Sequence, residues 1–246
     1  MSVSAKTQVE LLQLSNELSS AARAAAPEFT TVVSNRRRKA QSSKYKARPP
    51  PTASEHVASI KRMRAVIIQT KFYAVLKQYV MAVASDVTEI RCLALGRISE
   101  TEISKWQTAV LDCLRAELGV QKVSCYDPDF VELDKEIMGL MNIEVTGEHV
   151  ELVRSRTLYY MPHAPIFLVD RIMGEPEVKF VLGNDVSGYA ERLQEEINLV
   201  YSSLRAAVDQ IEDGRQDTWN RSRIDDGLAK NYSWWTSVND LAMHWR

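Results

Sequence analysis

The chain has little of what most catalytic and membrane motifs are built from. Its 246 residues hold three cysteines, Cys92, Cys113 and Cys125. An odd number with no Cys-x-x-Cys pair argues against a disulfide framework or a zinc ribbon, and suits a reducing compartment, cytoplasm or nucleus. The nine glycines form no dinucleotide fingerprint and no P-loop, and no serine sits in a nucleophile elbow. No apolar run approaches the ~18–20 residues that span a bilayer, so no membrane contact is expected. The N-terminus lacks the apolar core of a signal peptide, and Glu10, Glu17 and Glu28 disfavour an organelle transit peptide. A formal net charge of −1 gives no global field toward nucleic acid or membrane.

What is present is an ordinary globular composition, 45% hydrophobic and 26% charged, long enough for one substantial domain and a tail. Residues 1–52 read as a disordered basic N-terminal arm, with a weak helix over 4–25. Arg36, Arg37, Arg38, Lys39, Lys44, Lys46 and Arg48 follow one another without an acid, before the stiff spacer Pro49-Pro50-Pro51. The run reads either as a nuclear-localisation or nucleic-acid-binding patch or as a solvated tail. Nucleic acid is expected as a partner only through this arm.

Residues 53–246 read as an α/β domain. A leading helix is expected over 53–85, with Val57, Ile60, Ile67, Ile68, Val75, Leu76, Tyr79 and Val83 on its buried face. From residue 86 strands and helices alternate. Strands are expected at Glu89–Leu95, Lys122–Tyr126, Asn142–Val145, Thr157–Met161, Val178–Leu182 and, last, Val238–Trp245. Ser99 and Glu102 form a capping-box pattern for a helix starting near Glu100, with Ile103, Trp106, Val110, Leu111 and Leu114 inward and Gly119 at its end. Asp127-Pro128 reads as an N-cap and first-turn proline for a helix to about Leu140. Further helices are expected at Pro165–Met173 and, as one long element, Tyr189–Ile211. Residues 212–231 read as loop. Such alternation predicts a Rossmann-like three-layer α/β sandwich with a mostly parallel sheet.

Four short motifs fall just after expected strands, and ligands of open parallel sheets bind outside the carboxyl ends of the strands. The candidate ligand-binding residues are therefore Gly96, Arg97, Ser99, Asp127, Met161, His163, Gly183, Asn184 and Asp185. The first turn is a poor phosphate cradle, because only Gly96 remains of a fingerprint and Glu100 and Glu102 sit in the following helix's first turn. A neutral or cationic ligand such as S-adenosylmethionine suffers less from those acids. Asp127 stands where an acid binds ribose hydroxyls, or else simply caps its helix. His163, between Pro162 and Pro165, suits a general base, a metal ligand, a haem ligand (with Tyr160 and Met161) or a loop histidine bonded to backbone. It lacks a histidine or carboxylate at i+3 or i+4, so metal binding is not expected. Gly183-Asn184-Asp185 reads as a turn. No cofactor is selected by these residues.

Three segments together resemble the SRR1-like family (the "sensitivity to red light reduced" proteins): Cys-Leu-Ala-Leu-Gly-Arg-Ile-Ser at 92–99, Tyr-Asp-Pro-Asp-Phe-Val-Glu-Leu-Asp at 126–134, and Thr-Leu-Tyr-Tyr-Met-Pro-His-Ala at 157–164. Leu-Gly-Asn-Asp at 182–185 and Asn-Asp-Leu-Ala-Met-His-Trp at 239–245 resemble later family blocks. The resemblance covers about residues 60–246. It implies a regulatory or interaction protein without established catalysis, linked to circadian clock and light-response control in plants and to haem-biosynthesis control and microtubule-related phenotypes in animals and yeast. It leaves protein partners, oligomeric state and ligand unspecified. The alternative is an enzyme or sensor binding S-adenosylmethionine, a nucleotide or haem in the strand-end crevice. The chain departs from the family pattern at Ala94 and Arg97, where glycine and serine are usual, and at Ala164, where cysteine usually follows the histidine. Thiol chemistry at that last position is absent here.

Overall fold

In a computed structural model the described residues are 49–146, 155–192, 201–213, 219–224, 233–238 and 240–246. The chain divides into two units, Met1–Arg48 and Pro49–Arg246, and all described residues belong to the second. The basic arm and the expected helix over 4–25 lie outside them.

The first 35 described residues form two helices, not one. α1 (Ala53–Ile67) starts on a capping box between Thr52 and Glu55, and α2 (Lys71–Val83) starts at Thr70. The break is made by Thr70, whose hydroxyl donates to the Ile67 carbonyl at 2.6 Å and accepts the Tyr73 amide at 3.2 Å. A threonine that satisfies both ends of the junction competes with a continuous helix, and periodicity alone does not show this. Ile68, expected in the buried stripe, is exposed at the break.

Strand β1 (Glu89–Leu93), helix α3 (Glu102–Leu118), strand β2 (Lys122–Tyr126), helix α4 (Glu132–Leu140), and strands β3 (Glu144–Val145) and β4 (Thr157–Met161) follow. Helix α5 (Ile166–Gly174), strand β5 (Phe180–Asn184), helices α6 (Val186–Arg192) and α7 (Ser202–Asp213), and strands β6 (Asn220–Arg223) and β7 (Leu241–Trp245) complete the domain. The expected single helix over 189–211 is replaced by α6 and α7. Tyr201 is in neither helix, and residues 193–200 lie outside the described part. β6 lies in the stretch read as loop. Its residues, Asn-Arg-Ser-Arg, carry no apolar alternation, because an edge strand buries little.

The seven strands form one sheet in the order β3-β2-β1-β4-β5-β7-β6. β1 to β5 are parallel, and β7 runs antiparallel to β5 and β6. The fold is thus the Rossmann-like sandwich expected, with helices on both faces. On the first face Ile90, Cys92, Val123, Cys125, Leu158, Tyr160 and Leu182 pack with α1 to α4 in the larger apolar cluster. Trp234 seals its margin, stacked on Trp106 at 5.3 Å and edge-on to Phe72 at 5.6 Å. On the second face Leu93, Tyr159, Met161 and Val181 pack with α5 and α7. Burial of both faces explains why β1 and β4 show no exposed residue. The second face also carries charge: Arg91 is 1% exposed, flanked in register by Ser124 and Tyr159. Glu89 beside it pairs with Lys122 at 3.0 Å.

The order 3-2-1-4-5 places a switch point between β1 and β4. From β1 the chain crosses to β2 on one side, and from β4 to β5 on the other, and in open sheets of this kind ligands bind outside the strand carboxyl ends at such a point.

Candidate functional site

The turn after β1 opens with Ala94 at φ 56° and Gly96 at φ 73°, both left-handed. A side chain at Gly96 would come within 2.9 Å of the Ser104 hydroxyl, so glycine is required there on two counts. The Gly96 amide donates to Asp127 Oδ2 at 2.7 Å, and the Asp129 amide donates to Asp127 Oδ1 at 2.8 Å. Asp127 is therefore no helix cap. It ties the turn after β2 to the turn after β1, while α4 starts four residues later than Asp127-Pro128 suggested.

Asp134 takes over the capping. Fully buried, it accepts the Val131 amide at 3.0 Å and the Ser99 amide at 2.7 Å. Ser99 in turn does not cap α3. Thr101 does so, its hydroxyl accepting the Ser104 amide at 3.1 Å. Two threonine/serine caps two residues apart are indistinguishable by pattern, and the pull of Asp134 on the Ser99 amide decides between them. With the start displaced, Ile103 turns outward and is 44% exposed, against its expected place in the core. Arg97 lies on the surface, bonded to Glu100 at 2.7 Å and to the Asp129 carbonyl at 3.1 Å.

Across the switch point, β4 ends at Met161, Pro162 follows it buried, and His163 comes next at φ 56°, exposed. The His163 amide donates to Asn184 Oδ1 at 3.0 Å. Asn184 Nδ2 donates to the Tyr189 hydroxyl at 2.7 Å, which donates to the Ala164 carbonyl at 3.1 Å. This closed ring holds the backbone of residues 163 and 164 and turns the imidazole outward. Gly183 and Asn184 belong to β5 and not to a turn. Gly183 pairs with Met161, and a Cβ on it would lie 3.0 Å from the Met161 carbonyl oxygen.

Asp185 forms a third group. Its carboxylate takes Arg221 Nη1 at 2.7 and 3.0 Å and pairs with Arg223 at 3.4 Å. The Asp185 amide donates to the Asp240 carbonyl at 2.7 Å. His244, fully buried on β7, accepts the Val186 amide at 3.5 Å, a long contact. Burial pushes its imidazole down to about 4, with the Asp185 carboxylate pulling the other way, so it is neutral at pH 7. Cys92 and Cys125 lie side by side in register and are buried. Burial and Cys125 hold the Cys92 thiol well above its ordinary value, which leaves it protonated and no nucleophile.

The structure thus gathers Gly96, Ser99 and Asp127 into one group with Asp134, and His163 and Asn184 into a second with Tyr189. Met161 and Gly183 are strand partners beneath the second, and Asp185 belongs to a third. β1 and β4 are neighbours, so the first two groups face each other across the switch point. Asp134, Tyr189, Arg221 and Arg223 were not legible as partners. Arg221 and Arg223 stand in a polar stretch without a pattern, and Asp134 looks like any first-turn acid. Among the described residues no three His, Cys, Asp or Glu side chains converge as a metal site. A cavity of about 170 Å³, lined by Asp112, Arg115, Ala116, Gly119, Val120 and Gln121, lies at the opposite edge, where β2 begins.

Sheet order, crossover pattern and strand-end turns define a Rossmann-like α/β protein. The SRR1 domain model matches residues 68–245, and the chain belongs to that family. An SRR1-like protein of Drosophila melanogaster is 30% identical over 103 residues, 40% of this chain. The match spans 37% of that relative's length. Among solved structures, the plantazolicin methyltransferase BpumL, solved with a desmethylPZN analog and SAH, superposes with a TM-score of 0.36 at 10% identity. The superposition covers 78% of this chain and 96% of that one, and nothing about substrate follows from it.

Proposed function

We propose that this SRR1-family chain is a non-catalytic regulatory or interaction protein, acting in the clock, light-response or haem-biosynthesis control that the family resemblance implies. One observation carries the non-catalytic part: the polar groups at the strand ends bond one another. Asp127 holds Gly96 and Asp129, Asp134 holds Ser99 and Val131, and Asp185 holds Arg221. A nucleophile with an adjacent base, the least that covalent catalysis requires, is missing from these groups. The test is rescue. Cells lacking the chain should change in rhythmic output, light response or haem content, and a chain carrying His163→Ala should restore them. If no readout changes on removal, the regulatory reading fails. If folded His163→Ala does not rescue, the imidazole does work and catalysis returns.

The basic run Arg36–Arg48 supports a share of the protein in the nucleus beside the cytoplasm. Deleting residues 35–48 should lower the nuclear signal of a tagged chain, and an unaltered distribution would overturn this.

A second reading, a sensor or enzyme with a nucleotide-like ligand such as S-adenosylmethionine, or with haem, is favoured by where backbone strain lies. Of the four non-glycine described residues with positive φ, Asn142 closes a helix at the amino edge, while Ala94, His163 and Asp240 lie at the carboxyl edge of the parallel strands. Such strain persists only where surrounding structure imposes it, and it gathers at ligand sites. A ligand at a hundredfold its dissociation constant should stabilise the chain by about 2.7 kcal/mol. No thermal shift with S-adenosylmethionine, nucleotides, NAD or haem would remove this reading.

A further inference from the structure

We infer that the strand-end crevice takes a nucleoside-like ligand without phosphate groups, an aromatic base on a ribose with a neutral or cationic tail. This rests on the second reading above, that the crevice is a ligand site, and it specifies which ligands that site admits and which it rejects.

The rejection comes from the turn after β1. A pyrophosphate in this fold needs free backbone amides at the turn and at the start of the following helix. Here the Gly96 amide is bonded to Asp127 at 2.7 Å and the Ser99 amide to Asp134 at 2.7 Å. The positions an anion would take already hold two carboxylates. Glu102 adds a third acid in the first turn of α3, and Arg97, the nearby cation, is drawn outward to Glu100 and the Asp129 carbonyl. A phosphate there would meet like charge and find the Gly96 and Ser99 amides already taken.

The admission comes from the second face. Tyr126 ends β2, Ala94 follows β1, Ile166 opens α5 and Tyr189 lies on α6. All four are half-buried and pack against the same apolar cluster. By strand order they run along the second face from the end of β2 across the switch point to the end of β5, about 14 Å at the usual strand spacing. An apolar lining with an aromatic ring at each end suits a flat base, which gains from aromatic stacking whatever its edge groups. Asp127 follows Tyr126 directly. Each of its carboxylate oxygens accepts one backbone amide and retains a second lone pair for a ribose hydroxyl.

The test is a titration of the full chain by thermal shift and calorimetry with adenosine, S-adenosylhomocysteine and S-adenosylmethionine, set against AMP, ATP and NAD. The unphosphorylated set should stabilise the chain and the phosphorylated set should not. Tyr126→Leu should weaken adenosine binding about tenfold, the loss of one stacked base. The exposed Glu100→Lys and Glu102→Lys should narrow the preference over AMP without altering the adenosine response. If AMP, ATP or NAD bind as well as adenosine or better, this inference is overturned while the crevice remains a ligand site. If none of the six binds to a chain that melts cooperatively, this inference falls together with the nucleotide-like half of the second reading, leaving only haem.

Discussion

The two edges of the sheet use the same left-handed backbone conformation and differ in what holds it. At the amino edge Gly119 ends α3 and Asn142 follows α4, both with positive φ. Each closes its helix by a Schellman pair: Val120 N–H to Arg115 and Gly119 N–H to Ala116, then Ile143 N–H to Met138 and Asn142 N–H to Gly139. Glycine and asparagine are the residues that enter this conformation at least cost, and the bonds are local. At the carboxyl edge Ala94 and His163 adopt it instead. They are held from other strands, the Ala94 amide by the Tyr126 carbonyl at 3.3 Å and the His163 amide by Asn184. One edge is set by its own helices. The other is set by the sheet, and that is the edge where doubly wound folds work.

The largest expected effect breaks the carboxyl edge at its buried anchor. Asp134→Ala strands the amides of Ser99 and Val131 and should destabilise by about 4 kcal/mol in chemical denaturation. A loss below about 1 kcal/mol would mean the edge is not held from outside.

Next comes the buried histidine behind that edge. The folded value of His244, about 4, lies below the ~6.5 of an unfolded histidine. The unfolded chain therefore binds more protons between the two, and stability is present above about pH 6.5 and is lost as pH falls toward 4, by about 3 kcal/mol in all. His244→Asn should flatten that slope in pH-dependent unfolding. An unchanged slope would place the titration elsewhere.

Asp127→Asn keeps one acceptor and loses the charge-assisted bonds to Gly96 and Asp129. It should cost about 1 to 2 kcal/mol, read as a lower melting temperature.

The smallest effect sharpens the comparison most. Ala94→Gly removes left-handed strain and should stabilise by about 0.5 to 1 kcal/mol, while Gly119→Ala at the other edge should destabilise by about 1 kcal/mol. If both substitutions moved stability the same way, the two edges would not differ as described.

Much of this architecture was legible because burial leaves a period in the sequence. Lys122–Tyr126 and Thr157–Met161 are strands as their β-branched and aromatic content implies. Gly119 ends α3 as read. The misplaced boundaries share one cause, competition between neighbouring groups able to do the same job. Thr70 stops a helix whose stripe continues past it. Thr101 caps in place of Ser99 because Asp134 occupies the Ser99 amide. Asp127 leaves its helix because the Gly96 amide lies within reach across the strands. β5 shifts two residues onward because Gly183 fits against Met161. Thr70 acts on partners three residues away, whereas in the other cases the deciding partner is distant in sequence, 35 residues for Ser99 and Asp134.

By itself the sequence determined the alternating α/β order, the family, and which short segments end strands. Those follow from local periodicity and residue type, properties a chain carries before it folds. Only the tertiary structure decided that Asp127 and Asp134 fill the amides of the first turn, that Asn184 and Tyr189 hold His163 outward, and that β7 inserts antiparallel beside β5. Hydrogen bonds between residues tens of positions apart form only once the sheet has brought them together. Those bonds, more than the motifs themselves, fix the shape of the strand-end turns.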